Sequence, residues 1–192
     1  ICEGLVGSEM CIRDSIHTAL DCLKNIMEKN NISVKNIKNI KAKISHPTYV
    51  HCAWNYKNHN ITSAQTNIYY GLALIALEGE LFVNQFSKDK ISNPEILNFM
   101  KKITAEVDPK IESLGHEFRH MASIELTTND NKKFNHTEKY RKGSPENPLT
   151  KDQIISKFKT LAAYSYDDTK INTIKEKIEN IELSNSIENL ID

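Results

Sequence analysis

Gly143-Ser144-Pro145-Glu146-Asn147-Pro148-Leu149-Thr150 stands between a strand pattern and a clear helix pattern, and it fixes how the chain is organised. Two prolines that cannot join a sheet ladder, a glycine free to take positive φ and an Asn-Pro step make a stiff connector. A helix start follows. Thr150 can cap, Asp152 and Gln153 fall in the first turn, and Ile154, Ile155, Phe158, Leu161 and Ala162 repeat at helical spacing. The stretch is therefore a strand-to-helix crossover, with a mixed region before it and a helical region after it.

Working outward, Ile16, Ala19, Leu20, Leu23, Ile26 and Met27 form the apolar stripe of a helix that runs out at Asn30-Asn31. Ile37, Ile40, Ala42 and Ile44 alternate with polar residues, as in a strand with one wet face. His46 to Asn60 is expected to be an aromatic loop, and Thr62 or Ser63 to cap a helix carrying Ala64, Ile68, Leu72 and Ile75 that closes near Gly79. That helix is nearly apolar all round after Tyr69, which places it at the centre of the core. A short helical stretch follows at Phe82 to Phe86. Asn93 and Pro94 open a helix burying Ile96, Leu97, Met100 and Ile103, with a short strand at Ala105 to Val107. Residues 121 to 140 form a hairpin turning at Asn129-Asp130-Asn131. Thr169 to Ile191 has the period of an amphipathic helix on Ile171, Ile174, Ile178 and Ile181, with a charged ending that frays.

The expected fold class is α+β, a small mixed or antiparallel sheet with packed helices, plus helices at the C-terminus. Residues 1–15 have neither a basic nor an apolar signal region and are expected to be a spurious or disordered tail, so that Cys2 and Cys11 belong to no evolved site. Residues 16–149 then form the α+β domain and residues 150–192 a returning helical segment. The chain has 25 basic and 25 acidic residues, so no global field points to nucleic acid or to a membrane surface. Its longest apolar run, Tyr69 to Leu77, is too short to span a bilayer. Four cysteines without a CxxC pair give no disulfide framework, and a reducing cytosol is the expected compartment.

Several residue groups compete for a function. His116-Glu117-Phe118-Arg119-His120 is a literal HExxH, the pattern of zinc hydrolases, but Gly115 precedes it and strand pattern follows it, so it is expected to be a polar loop entering a strand. His46, His51, Cys52 and His59 have no standard metal-ligand spacing. Trp54, Tyr56, Tyr69 and Tyr70 could instead line a concave site, or simply pack. His17, one residue from an apolar stripe, suits packing better than chemistry on spacing alone.

A distributed pattern adds to this. His51-Cys52-Ala53-Trp54-Asn55-Tyr56 and Ile61-Thr62-Ser63-Ala64-Gln65-Thr66-Asn67-Ile68-Tyr69-Tyr70-Gly71-Leu72-Ala73, running into Leu77-Glu78-Gly79, resemble the central helix region of the MmgE/PrpD family. So do Ile16-His17-Thr18-Ala19-Leu20-Asp21, Asn93-Pro94-Glu95, Val107-Asp108-Pro109 and the connector at Gly143 to Leu149, in the family's order across roughly residues 16 to 164. The family includes 2-methylcitrate dehydratase, cis-aconitate decarboxylase and iminodisuccinate epimerase. The resemblance implies a two-domain lyase or isomerase of small polycarboxylates, needing neither metal nor other cofactor and usually homodimeric, of which this chain would be the lid domain. It implies that Tyr70 faces the substrate and is catalytic and that His17 binds substrate; Trp54, Tyr56 and Gln65 are expected to bind substrate beside them. A lysine and a second histidine of the family have their places at Ser8 and Arg13 here, and an N-terminal helical domain would have to bring the remaining catalytic groups. The fragment is expected to be inactive alone. The alternatives are a binding or interaction protein reusing the lid fold and, less favoured, a zinc hydrolase built on the HExxH stretch.

Overall fold

The computed structural model describes residues 14–57 and 60–183. Cys2, Ser8, Cys11, Arg13, His59 and the charged ending from Ser184 lie outside the described residues. The chain divides between Asn147 and Pro148 into two compact units.

In the first unit, α1 (Asp14–Lys29) leads to β1 (Ile37–Ile44). Then come α2 (His46–Cys52), α3 (Ile61–Thr66) and α4 (Ile68–Glu78). A 3₁₀ turn at Val83–Phe86, α5 (Lys88–Ile91) and α6 (Pro94–Met100) return the chain to β2 (Ile103–Val107). After α7 (Pro109–Ser113) the hairpin of β3 (Ala122–Thr128) and β4 (Lys133–Glu138) closes the sheet. Strand order is β2-β1-β3-β4. β1 runs parallel to β2 and antiparallel to β3, and β3 antiparallel to β4, so the sheet is mixed.

Strand alternation decides which face the helices cover. Ala42 sits between Ala105 and Ile124, and Ile40 between Ile103 and Leu126, making two apolar rows across three strands. α1 packs over β3 and β4, α4 packs beside it towards β2, and Ile16, Leu23, Leu72, Leu74, Ile124 and Leu126 fill the layer between. Gly71 sets how closely the two helices approach, since a Cβ there would lie 3.1 Å from Leu20 Cδ2 and 3.3 Å from Ile16 Cδ1.

The opposite sheet face is charged. Glu125 on β3 takes Lys133 at 3.1 Å and Lys43 at 3.9 Å, and Lys41 pairs with Glu106 at 3.2 Å. The Lys133 hydrogen bond, assisted by the charges of Lys133, Lys43 and Lys41, holds the Glu125 carboxyl below its ordinary 4.5. A depressed folded value stabilises the fold above pH 4.5 and ceases to do so as pH falls through it. Glu125→Gln is therefore expected to make urea-unfolding free energy fall less steeply below pH 4.5 than in the wild type. Parallel acid limbs for the two proteins would refute this.

Four local expectations need correction. Residues 46–52 are helix, because Ser45 accepts a hydrogen bond from the Thr48 amide and Pro47 suits the first turn. Asn60, not Thr62 or Ser63, caps α3, its Oδ1 accepting from the Ser63 amide at 2.7 Å, and Asn67 breaks the long helix in two. Ile103 begins β2, since α6 ends at Met100. In the second unit, α9 (Asp168–Glu179, after α8 at Lys151–Ala162) stops well before Ile191. Ile171 and Ile174 are buried, whereas Ile178 and Ile181 are exposed, as is Ile154 on α8. Thr150 and Gln153 do cap α8 reciprocally, at 3.3 and 3.0 Å. Gly143 takes φ 90, and its amide donates to the Asn147 carbonyl at 2.7 Å, which closes the connector into a tight loop.

Candidate functional site

The site is organised from Asn67, which is fully buried at the break between α3 and α4. Its Oδ1 accepts from the amides of Tyr69 and Tyr70, both at 3.1 Å, and its Nδ2 donates to the Trp54 carbonyl at 2.8 Å. One side chain thus starts α4 and ties it to the aromatic loop. Tyr69 and Tyr70 then point along different directions. Tyr69 is half-buried and donates to the Ala53 carbonyl at 3.2 Å. Tyr70 turns inward, fully buried, and donates to the Gln85 carbonyl at 3.0 Å.

Three rings pack around this point. Tyr56 stacks on Tyr70 with centroids 5.4 Å apart, and Phe86 lies tilted at 6.0 Å on the Tyr70 ring. The Tyr56 hydroxyl donates to the Ile91 carbonyl at 3.0 Å. Burial, and secondarily the nearness of Tyr56 and Glu78, pushes the Tyr70 phenol well above its ordinary 10.0. Burial raises Tyr56 and Tyr69 too, with Tyr49 adding to the shift at Tyr69. All three are therefore neutral phenols at physiological pH, able to donate a proton in a hydrogen bond and poor as anionic bases.

Of the residues singled out from the sequence, Tyr70 and Tyr56 come together directly. Trp54, half-buried, is linked to Tyr70 through Asn67, and its Nε1 donates to the His51 carbonyl at 3.2 Å. Gln65 is half-buried on α3, one turn before α4. His17 is buried on α1, next to Ile16, the residue whose side chain meets Gly71 beside Tyr70. Asn67 and Gln85 were not singled out. Asn67 could have been found as a strong capping residue between two helical runs, and Gln85 as a polar residue within the apolar pattern of Leu81 to Phe86.

The HExxH stretch is a 3₁₀ turn at His116–Phe118 after Gly115 at φ 86, so its two histidines do not share an α-helical face. Arg119 Nη1 donates to His116 Nδ1 at 3.0 Å. The Arg119 carbonyl accepts from Ser45 Oγ at 2.5 Å and Thr48 Oγ1 at 3.0 Å, while the His120 carbonyl accepts from Thr18 Oγ1. These bonds make it a stitched loop leading into β3. Among the described residues no group of three or more His, Cys, Asp and Glu side chains is placed to hold a metal ion. Cys52 is buried. Burial, reinforced by Glu138, pushes the Cys22 thiol up to about 12, so it stays protonated. No helix among the described residues is long and apolar enough to cross a membrane.

The chain can be compared with known proteins on this geometry. It is 21% identical over 172 residues to the cis-aconitate decarboxylase of Aspergillus terreus, an alignment covering 85% of this chain and 35% of that protein. It is 23% identical over 158 residues to the cis-aconitate decarboxylase-like protein oryM of Aspergillus oryzae, covering 81% of this chain and 32% of that one. It spans about a third of the length of these curated relatives. The model of the MmgE/PrpD C-terminal domain matches residues 13–183, from the start of α1 to just beyond α9, taking in the Asn67 break, the Tyr70 cluster and the Gly143 connector. With that match running through the α+β unit and the helices that follow it, the chain belongs to the MmgE/PrpD family, as its C-terminal domain.

Proposed function

We propose that this chain is the C-terminal part of a cofactor-independent lyase or isomerase acting on small polycarboxylates. The observation that carries the reading is the family match along residues 13–183, supported by similarity to proteins named as cis-aconitate decarboxylases. Removing a proton α to a carboxylate, with loss of carbon dioxide or water, needs a base, an acid and cations that hold the carboxylates. In this reading Tyr70 supplies the acid, as a neutral phenol, and His17 pairs with a substrate carboxylate. Trp54, Tyr56 and Gln65 border the substrate, and an N-terminal helical domain brings the base and the other cations. The working protein is a cytoplasmic homodimer, and residues 16–149 form its lid.

The test is to assay the full-length protein and this chain side by side on cis-aconitate and 2-methylcitrate, before and after exhaustive dialysis against a chelator. Turnover by the full-length protein alone, undiminished by the chelator, is the expected result. A full-length protein inert on these acids defeats the lyase reading, and turnover by the isolated chain defeats the divided site. One observation favours a second reading, a binding protein reusing the lid fold: the Tyr70 hydroxyl is enclosed and already bonded within its own domain. Calorimetric binding of a polycarboxylate by an inert full-length protein would identify that case.

A further inference from the structure

Tyr70 is fully buried by groups of its own unit: Tyr56 on one face, Phe86 against the ring and the Gln85 carbonyl on the hydroxyl. Adding a second domain can only bury it further. If Tyr70 meets substrate, one of its own covers has to move. Two of the three belong to one short segment. Residues 80–91 leave α4 after Gly79, which sits at φ 77 with open space where a Cβ would stand, and they rejoin the fold at the Asn93 cap of α6. The segment is a 3₁₀ turn and a single helical turn with Val83, Asn84, Ser87, Lys88 and Asp89 exposed.

Its attachments include several specific bonds. Two tyrosine hydroxyls grip its backbone, Tyr70 at Gln85 O and Tyr56 at Ile91 O, both at 3.0 Å. Gln85 folds the segment on itself, its Oε1 accepting from the Phe82 amide at 2.8 Å and its Nε2 donating to Glu78 and Glu80, each at 3.2 Å. Lys90 Nζ bonds both oxygens of Glu78 at the end of α4, at 2.7 and 2.5 Å. Leu81, Phe86 and Ile91 supply the apolar anchors.

We propose that residues 80–91 are a strap over Tyr70, latched by Lys90 on Glu78 and opened when a polycarboxylate is bound. This rests on the reading of Tyr70 as a substrate-facing residue. A strap that must open makes the binding-competent state a minor fraction, and the apparent affinity falls by that fraction. Loosening the latch should therefore tighten apparent binding, the reverse of what damage to a structural element does.

The experiment uses the full-length protein. Lys90→Met removes the latch on a half-exposed side chain, and it is expected to lower KM for cis-aconitate by about two- to fivefold, the range of a partly exposed ion pair, with kcat unchanged. In the wild type, tricarballylate, a saturated tricarboxylate, should speed amide hydrogen exchange across 82–91. An unchanged or raised KM in Lys90→Met, or exchange across 82–91 that is unchanged or slowed by tricarballylate, overturns the strap and leaves the reading of Tyr70 standing if Tyr70→Phe is inactive. Wild-type turnover in Tyr70→Phe overturns that reading and the strap with it.

Discussion

Tyr70→Phe in the full-length protein is expected to cut turnover by about a hundredfold or more, the range for loss of a positioned proton donor. Phe keeps the ring between Tyr56 and Phe86, so the stack at 5.4 and 6.0 Å survives. What is lost is the hydroxyl and its bond to the Gln85 carbonyl, at a cost of about 1–2 kcal/mol in stability. That cost is too small to unfold a domain of this size and is read separately by urea unfolding. The pH dependence gives a second check. Burial raises the folded Tyr70 phenol above its ordinary 10.0, so its contribution to stability is complete below pH 10.0 and is lost as pH rises through the folded value. Tyr70→Phe should therefore flatten the alkaline loss of stability above pH 10.0. Turnover within twofold of wild type would remove Tyr70 from the mechanism. A loss of turnover that simply follows the fraction unfolded would make it a packing residue.

How far the sequence could be read depended on whether the deciding interaction was local. β1 was legible in its own alternation, and the β3–β4 hairpin, the Asn93–Pro94 start of α6 and the Thr150 capping box each rest on contacts between residues near in sequence, and each was legible. The hairpin tip even marks itself by Asn131 at φ 64, a conformation Asn tolerates better than most residues. The division of one apolar run into α3 and α4 was hidden, because Ala64, Ile68 and Leu72 keep helical spacing across the break. Only the buried bond from Asn67 to the Trp54 carbonyl, made across a loop, shows why the chain turns there. The parallel pairing of β1 with β2 was equally out of reach, since it joins segments separated by five α-helices, and so the sheet could be read only as mixed or antiparallel. At the candidate site, aromatic clustering and then family resemblance brought Tyr70 and Tyr56 to notice, and the structure places them ring to ring. The bond that occupies the Tyr70 hydroxyl could not have been anticipated even with Gln85 noticed as a polar residue, because Gln85 contributes its backbone carbonyl, and a carbonyl leaves no residue signature.

Asn67→Leu should destabilise this chain by about 4 kcal/mol, roughly a thousandfold in the folding equilibrium, by urea unfolding. Leu is close to Asn in shape but offers no polar atom. The substitution leaves the amides of Tyr69 and Tyr70 without the oxygen that accepts them, and the Trp54 carbonyl without its donor, at a fully buried position. Each such orphan costs about 1–3 kcal/mol, and the gain from burying an apolar side chain offsets only part of the sum. Asn67→Ser separates the contributions. A serine can still cap α4 but is too short to keep both ends of the bridge, so it should cost about half as much. The two variants should also differ at Tyr70, whose backbone Asn67 positions: in full-length protein, Asn67→Ser should lose turnover beyond its loss of stability. A cost below about 1 kcal/mol for Asn67→Leu would mean that α3 and α4 separate for another reason, with the buried bonds following the break rather than making it.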